Sequence, residues 1–313
     1  MKDNEEITAT ITDELVDERI DVALAKLTGL SRTTISNALI AGQITFEGSP
    51  VAKSFRVQAG QRFQIQIPKN EEVKFDYSSQ TAKLSIIFED QDLVVINKPV
   101  GMAAHPSPGW SGATVIGALA ALGIQISTSG ADERKGIVHR LDVGTTGLMV
   151  VAKSEIAYSS LKDQFRNRSV SKIYHALVQG HLDPTVGTID APIDRHPKED
   201  YKMAVVLNGK PSITHYEVIE YYRSVSLLKV ELETGRTHQI RVHMSAIRHP
   251  LVGDLTYGAD PNLAAEIGVN RPWLHARALE FTHPISGLPI SISAAYPRDL
   301  TDSLSRLSGA VLP

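Results

Sequence analysis

Three apolar, β-branched segments follow one another in the middle of the chain, Lys172–Gln179, Thr214–Tyr221 and Ser224–Glu233, with turn-forming residues and no helical period between them. Parallel neighbours need a crossover of a dozen or more residues, usually a helix, so strands that succeed one another without helices pair antiparallel. Similar segments occur at Ser85–Phe88, Leu93–Asn97 and Gly147–Ala152. Helices are predicted at Thr114–Leu122, at Glu155–Arg166 behind a Ser154 cap, and after Thr237. The pattern predicts an α+β fold, a mixed and mostly antiparallel sheet with flanking helices, rather than a doubly wound one.

At 313 residues the chain has room for one large domain and one small one. Hydrophobic residues make up 42% of it, yet no apolar run is long enough to cross a bilayer. The polar, acidic start MKDNEEITATITDELVDER lacks the apolar core of a secretory signal. A cytoplasmic protein without membrane contact is expected. The absence of cysteine excludes both a disulfide framework and a thiolate metal site.

Residues 1–70 read as a small α/β module with an acidic N-terminal tail. Ile20, Leu24 and Leu27 recur at helical spacing and Gly29 stops that helix. Ser31 can cap a second helix carrying Ile35, Leu39 and Ile40, which Gly42 closes. Gln43–Phe46, a Glu47-Gly48 turn and the alternating Phe63–Ile67 then suggest short strands. From Arg19 to Lys69 there are seven cations against Asp21 and Glu47, whereas residues 1–18 hold seven carboxylates against Lys2. Arg32, Lys53 and Arg56 put cations on one side of this module, a pattern that suits nucleic acid or simply a solvated face. Residues 69–83 are polar and aperiodic and read as a linker to a large unit at 83–313.

Four stretches combine glycine or proline with polar residues at strand ends: NKPVGMAAHP (97–106), HRLDVGTTG (139–147), SKIYHALV (171–178) and ETGRTHQIRVH (233–243). Each residue in them has an ordinary structural explanation as well. Asp142 can cap the turn that follows it, Tyr174 can be a packed core ring beside Ala176 and Val178, and Arg241 can be a surface arginine above Ile240, Met244 and Ile247. Metal is not expected, because His238 and His243 lack the spacing of a helical zinc pair and no His-Glu-x-x-His occurs. There is no dinucleotide fingerprint, P-loop or serine nucleophile elbow.

Together the stretches resemble the RluA-type pseudouridine synthases. The resemblance rests on His139-Arg140-Leu141-Asp142 with Gly144-Thr145-Thr146-Gly147, where the family usually has Thr-Ser-Gly, on Lys98-Pro99 and Gly101, on Lys172, Tyr174, Ala176 and Leu177, and on Gly235–His243. Gly253-Asp254, Tyr257-Gly258, Leu274-His275-Ala276 and His283-Pro284 continue it. The small module resembles the S4-type RNA-binding domain through Arg19-Ile20-Asp21, Ser31-Arg32, Gly42–Phe46 and Gln58–Gln61. The pair is most similar to the RluC and RluD type, which implies uridines of large-subunit ribosomal RNA as substrate.

The resemblance implies Asp142 as catalytic nucleophile, Arg241 as its ion partner, and Tyr174 as a ring that stacks on uracil and handles a proton. It implies RNA contacts from Arg140, His139, Arg236 and His238, and from Arg32 and Lys53 in the small module, with no cofactor and with the chain acting as a monomer. Three rivals stand beside it. A synthase acting on transfer RNA needs the same residues, and an RNA-binding or ribosome-assembly protein would keep the motifs as relics. A glycoside hydrolase would need a second, protonated carboxylate, for which Glu233 can be nominated.

Overall fold

The computed structural model describes residues 4–28, 32–68, 84–107, 110–199 and 202–308 of the chain. Two compact units emerge, Met1–Phe75 and Asp76–Pro313. The expected stop at Gly29, the cap at Ser31 and the linker 69–83 fall outside the described residues.

The small unit consists of β1 (Asn4–Thr10), α1 (Ile20–Thr28), α2 (Arg32–Ile40), β2 (Ile44–Phe46), β3 (Ser49–Pro50) and β4 (Arg62–Pro68). Its antiparallel sheet has the order β1-β4-β2-β3. Ile20, Leu24, Ile35, Leu39, Ile44, Phe63 and Ile65 form one buried cluster, so both helices lay their apolar stripes on the sheet. Glu47 and Gly48 both take positive φ, as a two-residue hairpin turn requires.

Two expectations fail in this unit. The supposed acidic tail is partly strand β1, paired with β4 from Asn4 to Thr10. Ala9 and Ile11 face the core while Thr8 and Thr10 do not, an alternation that the surrounding carboxylates disguise. Ile40 lies outside the stripe and is 76% exposed, because five residues beyond Ile35 it is turned about 140° around the helix from it, whereas Leu39 stays on the buried side.

The large unit runs β5 (Ser85–Glu89), β6 (Leu93–Lys98), α3 (Val115–Ala121), β7 (Thr146–Ala152), α4 (Glu155–Arg166), β8 (Ser171–Gln179), β9 (Val186–Asp190), β10 (Ile193–Arg195), β11 (Met203–Val205), β12 (Ile213–Tyr221), β13 (Val225–Leu232), α5 (Gln239–Ala246), α6 (Pro261–Ile267), β14 (Leu274–Thr282), β15 (Pro289–Ser293) and α7 (Arg298–Ser308). Its main sheet has nine strands in the order β5-β6-β7-β14-β8-β13-β12-β9, with β15 on β14. Only β7 and β14 pair parallel, so the fold is the mixed, mostly antiparallel α+β sheet that the strand succession predicts. Gly147 makes that parallel contact possible: a Cβ there would lie 2.3 Å from the Ala276 carbonyl oxygen.

Helices cover both faces of the sheet. Ala157 and Leu161 of α4 pack with Leu148, Val150 and Ala152, while Ile240 and Met244 of α5 pack with Tyr174, Ala176 and Met149 on the opposite face. Ser154 caps α4 by accepting the Ala157 N–H at 3.2 Å, as expected. The start of α5 differs from expectation. Its N-cap is His238 rather than Thr237, at φ 58° and without a side-chain cap. No helix among the described residues is long and apolar enough to cross a membrane.

Candidate active site

Within the tetrad at 139–142 Leu141 is buried in the core while Arg140 is exposed. Thr145 N–H donates to the Asp142 carbonyl oxygen at 3.0 Å. The backbone therefore closes the turn before β7, and the Asp142 carboxylate is left for other work. It stands in a cleft of about 560 Å³ lined by Asp142, Tyr174, His238 and Arg241, with Arg140 and Arg236 also on its wall. A cleft of this size accommodates a nucleotide.

Arg241, three residues into α5, reaches the carboxylate with Nη1 at 3.4 Å from Asp142 Oδ2. The fork of its guanidinium goes elsewhere, to Asp254, with Nε–Oδ2 at 2.7 Å and Nη2–Oδ1 at 2.9 Å. Burial opposes the charge on Arg241, but Asp254, with help from Asp142, holds its pKa above the ordinary value. The cation beside Asp142 is thus fixed by a second, buried carboxylate.

Tyr174 lies on β8 and is both a packed ring and a wall of the cleft. Burial, reinforced by the Asp142 charge, raises its phenol above the usual tyrosine range. Lys98 is fully buried, donating to the Pro99 and Met102 carbonyls at 3.0 and 2.8 Å. Burial lowers its pKa to about 7, with Asp142 opposing that fall and Arg271 adding to it.

The expected RNA contacts divide. His139 lines the cleft, but its Nε2 accepts the Val150 N–H at 3.0 Å and its ring stacks on Phe165 at 4.6 Å. Burial, then the Lys172 charge, push its pKa down to about 3, so it is neutral and chiefly braces the loop against β7. Arg140 is exposed on the rim, and Arg236 donates from Nε to the Pro211 carbonyl at 3.2 Å. His238 Nε2 is 3.9 Å from Asp142 Oδ2. Arg32 opens α2 in the small unit, its side chain outside the described residues, and Lys53 is exposed in the same unit.

Glu233, the carboxylate a glycoside hydrolase would need protonated, is bound by Arg168 at 3.0 Å and by His215 at 2.8 Å. Among the described residues Asp90, Asp92 and His283 are spaced closely enough for a metal. Their polar atoms are already engaged: Asp90 takes His283 at 2.7 Å and the N–H groups of Asp92 and Leu93, and Asp92 takes Ser154 at 2.7 Å.

The RNA pseudouridylate synthase family matches residues 92–246, which hold all four glycine- and proline-marked stretches. The chain is 50% identical over 299 residues to an uncharacterized RNA pseudouridine synthase of Mycobacterium bovis, covering 96% of this chain and 97% of that one. It belongs to the RluA-type pseudouridine synthase family. Ribosomal large subunit pseudouridine synthase D of Escherichia coli is 39% identical over 309 residues, covering 95% of this chain and 93% of the relative. Human RNA Pseudouridylate Synthase Domain Containing 1 superposes with a TM-score of 0.56 at 31% identity, over 68% of this chain and 84% of the human one.

The protein is therefore an RNA pseudouridine synthase, an isomerase that moves uracil from a nitrogen to a carbon bond on ribose. Asp254 and Tyr257, which contact Arg241, and Lys98, which feels the Asp142 charge, have no role that the sequence reveals. Each sits in a motif that resembles the family, but neither the fork from Arg241 to Asp254 nor the burial of Lys98 is visible without the fold. A lone Asp 13 residues past Arg241 gives no pairing signal.

Proposed function

We propose that this synthase isomerises uridines of large-subunit ribosomal RNA, with Asp142 as nucleophile, Arg241 as its fixed counter-ion and Tyr174 against the target base. The observation that carries the reading is the Asp142 carboxylate beside the anchored Arg241 in a cleft of nucleotide size that Tyr174 also lines. The substrate rests on relatives named for the ribosomal large subunit that match nearly the whole chain.

The reaction breaks the bond from uracil nitrogen to ribose, turns the base, joins ribose to carbon five and releases the proton from that carbon. It has no net redox change and calls for no cofactor. Asp142 engages the ribose, either by bonding to the sugar carbon or by removing a sugar proton, and thereby divides one hard step into easier ones. Arg241 places a fixed positive charge beside that carboxylate, 3.4 Å from Oδ2. Tyr174 keeps its proton at neutral pH, so it acts as a stacking ring and as a phenol that passes a proton on, not as a standing base.

A stacked uridine cannot reach such a cleft and has to be swung out, at a cost of a few kcal/mol. Arg140 and Arg236 at the cleft, with the small unit as an S4-type docking module through Arg32 and Lys53, supply phosphate contacts that offset this. The chain acts as a monomer.

Tritium release from RNA labelled at uracil carbon five tests reaction and substrate together. Release from large-subunit ribosomal RNA and none from transfer RNA is expected. Release from transfer RNA alone overturns the substrate, and release from neither, with RNA bound, would leave a binding protein.

A further inference from the structure

Two groups approach the same oxygen of Asp142. Arg241 Nη1 is 3.4 Å from Oδ2 and His238 Nε2 is 3.9 Å from it, whereas no hydrogen bond reaches Oδ1 among the described residues. Both protein groups thus approach one and the same oxygen. Both approaching groups touch Tyr257. Its ring lies 4.9 Å from the Arg241 guanidinium carbon, and its hydroxyl is 2.8 Å from His238 Nδ1. The His238 and Tyr257 rings meet edge to face at 85°.

The hydroxyl also accepts the Met203 N–H at 3.0 Å, from the β10–β11 hairpin. Its remaining proton can then go to His238 Nδ1, which leaves the other ring proton on Nε2, facing Asp142. The reverse tautomer would aim a lone pair at a carboxylate, so the charge of Asp142 selects the same arrangement. His238 pays for this placement with a left-handed backbone, which histidine tolerates better than most residues. Burial first lowers the pKa of His238, with Asp142 and Asp254 opposing and Arg241 and Arg140 reinforcing the fall, so the neutral ring is the working form.

We propose that Tyr257 is a positioning residue for this reaction: its hydroxyl sets the His238 tautomer and its ring backs Arg241, so both aim N–H groups at Asp142 Oδ2 and leave Oδ1 to the ribose. The proposal rests on Asp142 being the nucleophile. Contacts that are long in the free enzyme shorten when substrate closes the site.

Nitrogen-15 spectra of histidine-labelled enzyme near neutral pH test the tautomer without reference to turnover. His238 protonated on Nε2 is expected in the wild type, and a mixture in Tyr257→Phe. A wild-type ring protonated on Nδ1 overturns the proposal, whether or not any variant folds. In single-turnover tritium release Tyr257→Phe should lose on the order of tenfold in rate with RNA affinity within about twofold. Combining it with His238→Ala should cost little more than the worse single change, because the two act as a unit. Multiplied losses, or an unchanged Tyr257→Phe rate, contradict the proposal. An Asp142→Asn enzyme that still turns over would instead sink the nucleophile assignment and leave the tautomer result standing.

Discussion

In the small unit Lys26 and Arg56 meet Glu18 and Asp17 with the cations 55% and 61% exposed and the carboxylates 41% and 70%, whereas in the large unit Arg241 and Asp254 meet at 10% and 1%. The first arrangement leaves long side chains in water, where a pair contributes little and an RNA phosphate can displace the partner. The second locks a guanidinium in place at the cost of desolvating both ions, and so fixes a geometry. Charge in the small unit suits affinity, and charge in the large unit suits registration of one carboxylate. The contrast also tempers the basic appearance of the small unit, since Asp17 and Glu18, read as part of an acidic tail, fold back onto its cations.

The sharpest way to break the comparison is Arg241→Met. Turnover should vanish, and stability should fall by about 3–5 kcal/mol because Asp254 is left buried without its partner. Urea melts read the second effect. A variant as stable as the parent would mean that the large unit does not hold its charge as described, and restored stability in Arg241→Met with Asp254→Leu would confirm the source.

Acid should separate the units next. His139 is held down to about 3 and His175 and His275 to about 4, each chiefly by burial, and the small unit contains no histidine. A group whose folded pKa is lowered binds its proton first in the unfolded chain, so the stability it contributes is complete above about 6.5 and lost as pH falls toward 4. The slope should not exceed about 1.4 kcal/mol per pH unit for each group. Urea midpoints at pH 5 and pH 7 check this, and equal midpoints would contradict the burial of these rings. Lys98, lowered to about 7, continues the rise on the alkaline side, since the unfolded chain binds more protons up to its ordinary value near 10.4.

Smaller effects belong to the exposed charges. Lys53→Ala should reduce the salt slope of RNA binding by about one, uniformly across sequences, with turnover at saturating RNA kept. Glu18→Ala, which breaks only the exposed pair with Lys26, should shift stability by less than about 1 kcal/mol. A large loss there would show that surface pairing matters in the small unit after all.

The strands that sequence reveals best are those buried on both faces, such as Leu93–Lys98 and Thr146–Ala152, whose apolar runs Leu93–Ile96 and Leu148–Ala152 are uninterrupted. Strand β1 hides behind carboxylates, and β10 and β11 are three residues each, too short for any period to register. Helix α7 sets Leu300, Leu304 and Leu307 at helical spacing against one core cluster, a strongly amphipathic pattern that the sequence does carry. In the site, Asp142 and Arg241 are 99 residues apart, and only the motifs' resemblance to a family joins them. The left-handed turn at His238 could not be foreseen, because a non-glycine residue at positive φ is held by its neighbours and not by its own preference.

The central claim is that one oxygen-bearing side chain, Asp142, does the chemistry and that the rest of the cleft holds it ready. Asp142→Asn keeps the shape and removes the charge. The account predicts an enzyme that binds large-subunit ribosomal RNA within a few-fold of wild-type affinity and releases no tritium from uracil carbon five. Release at an appreciable fraction of the wild-type rate would contradict it.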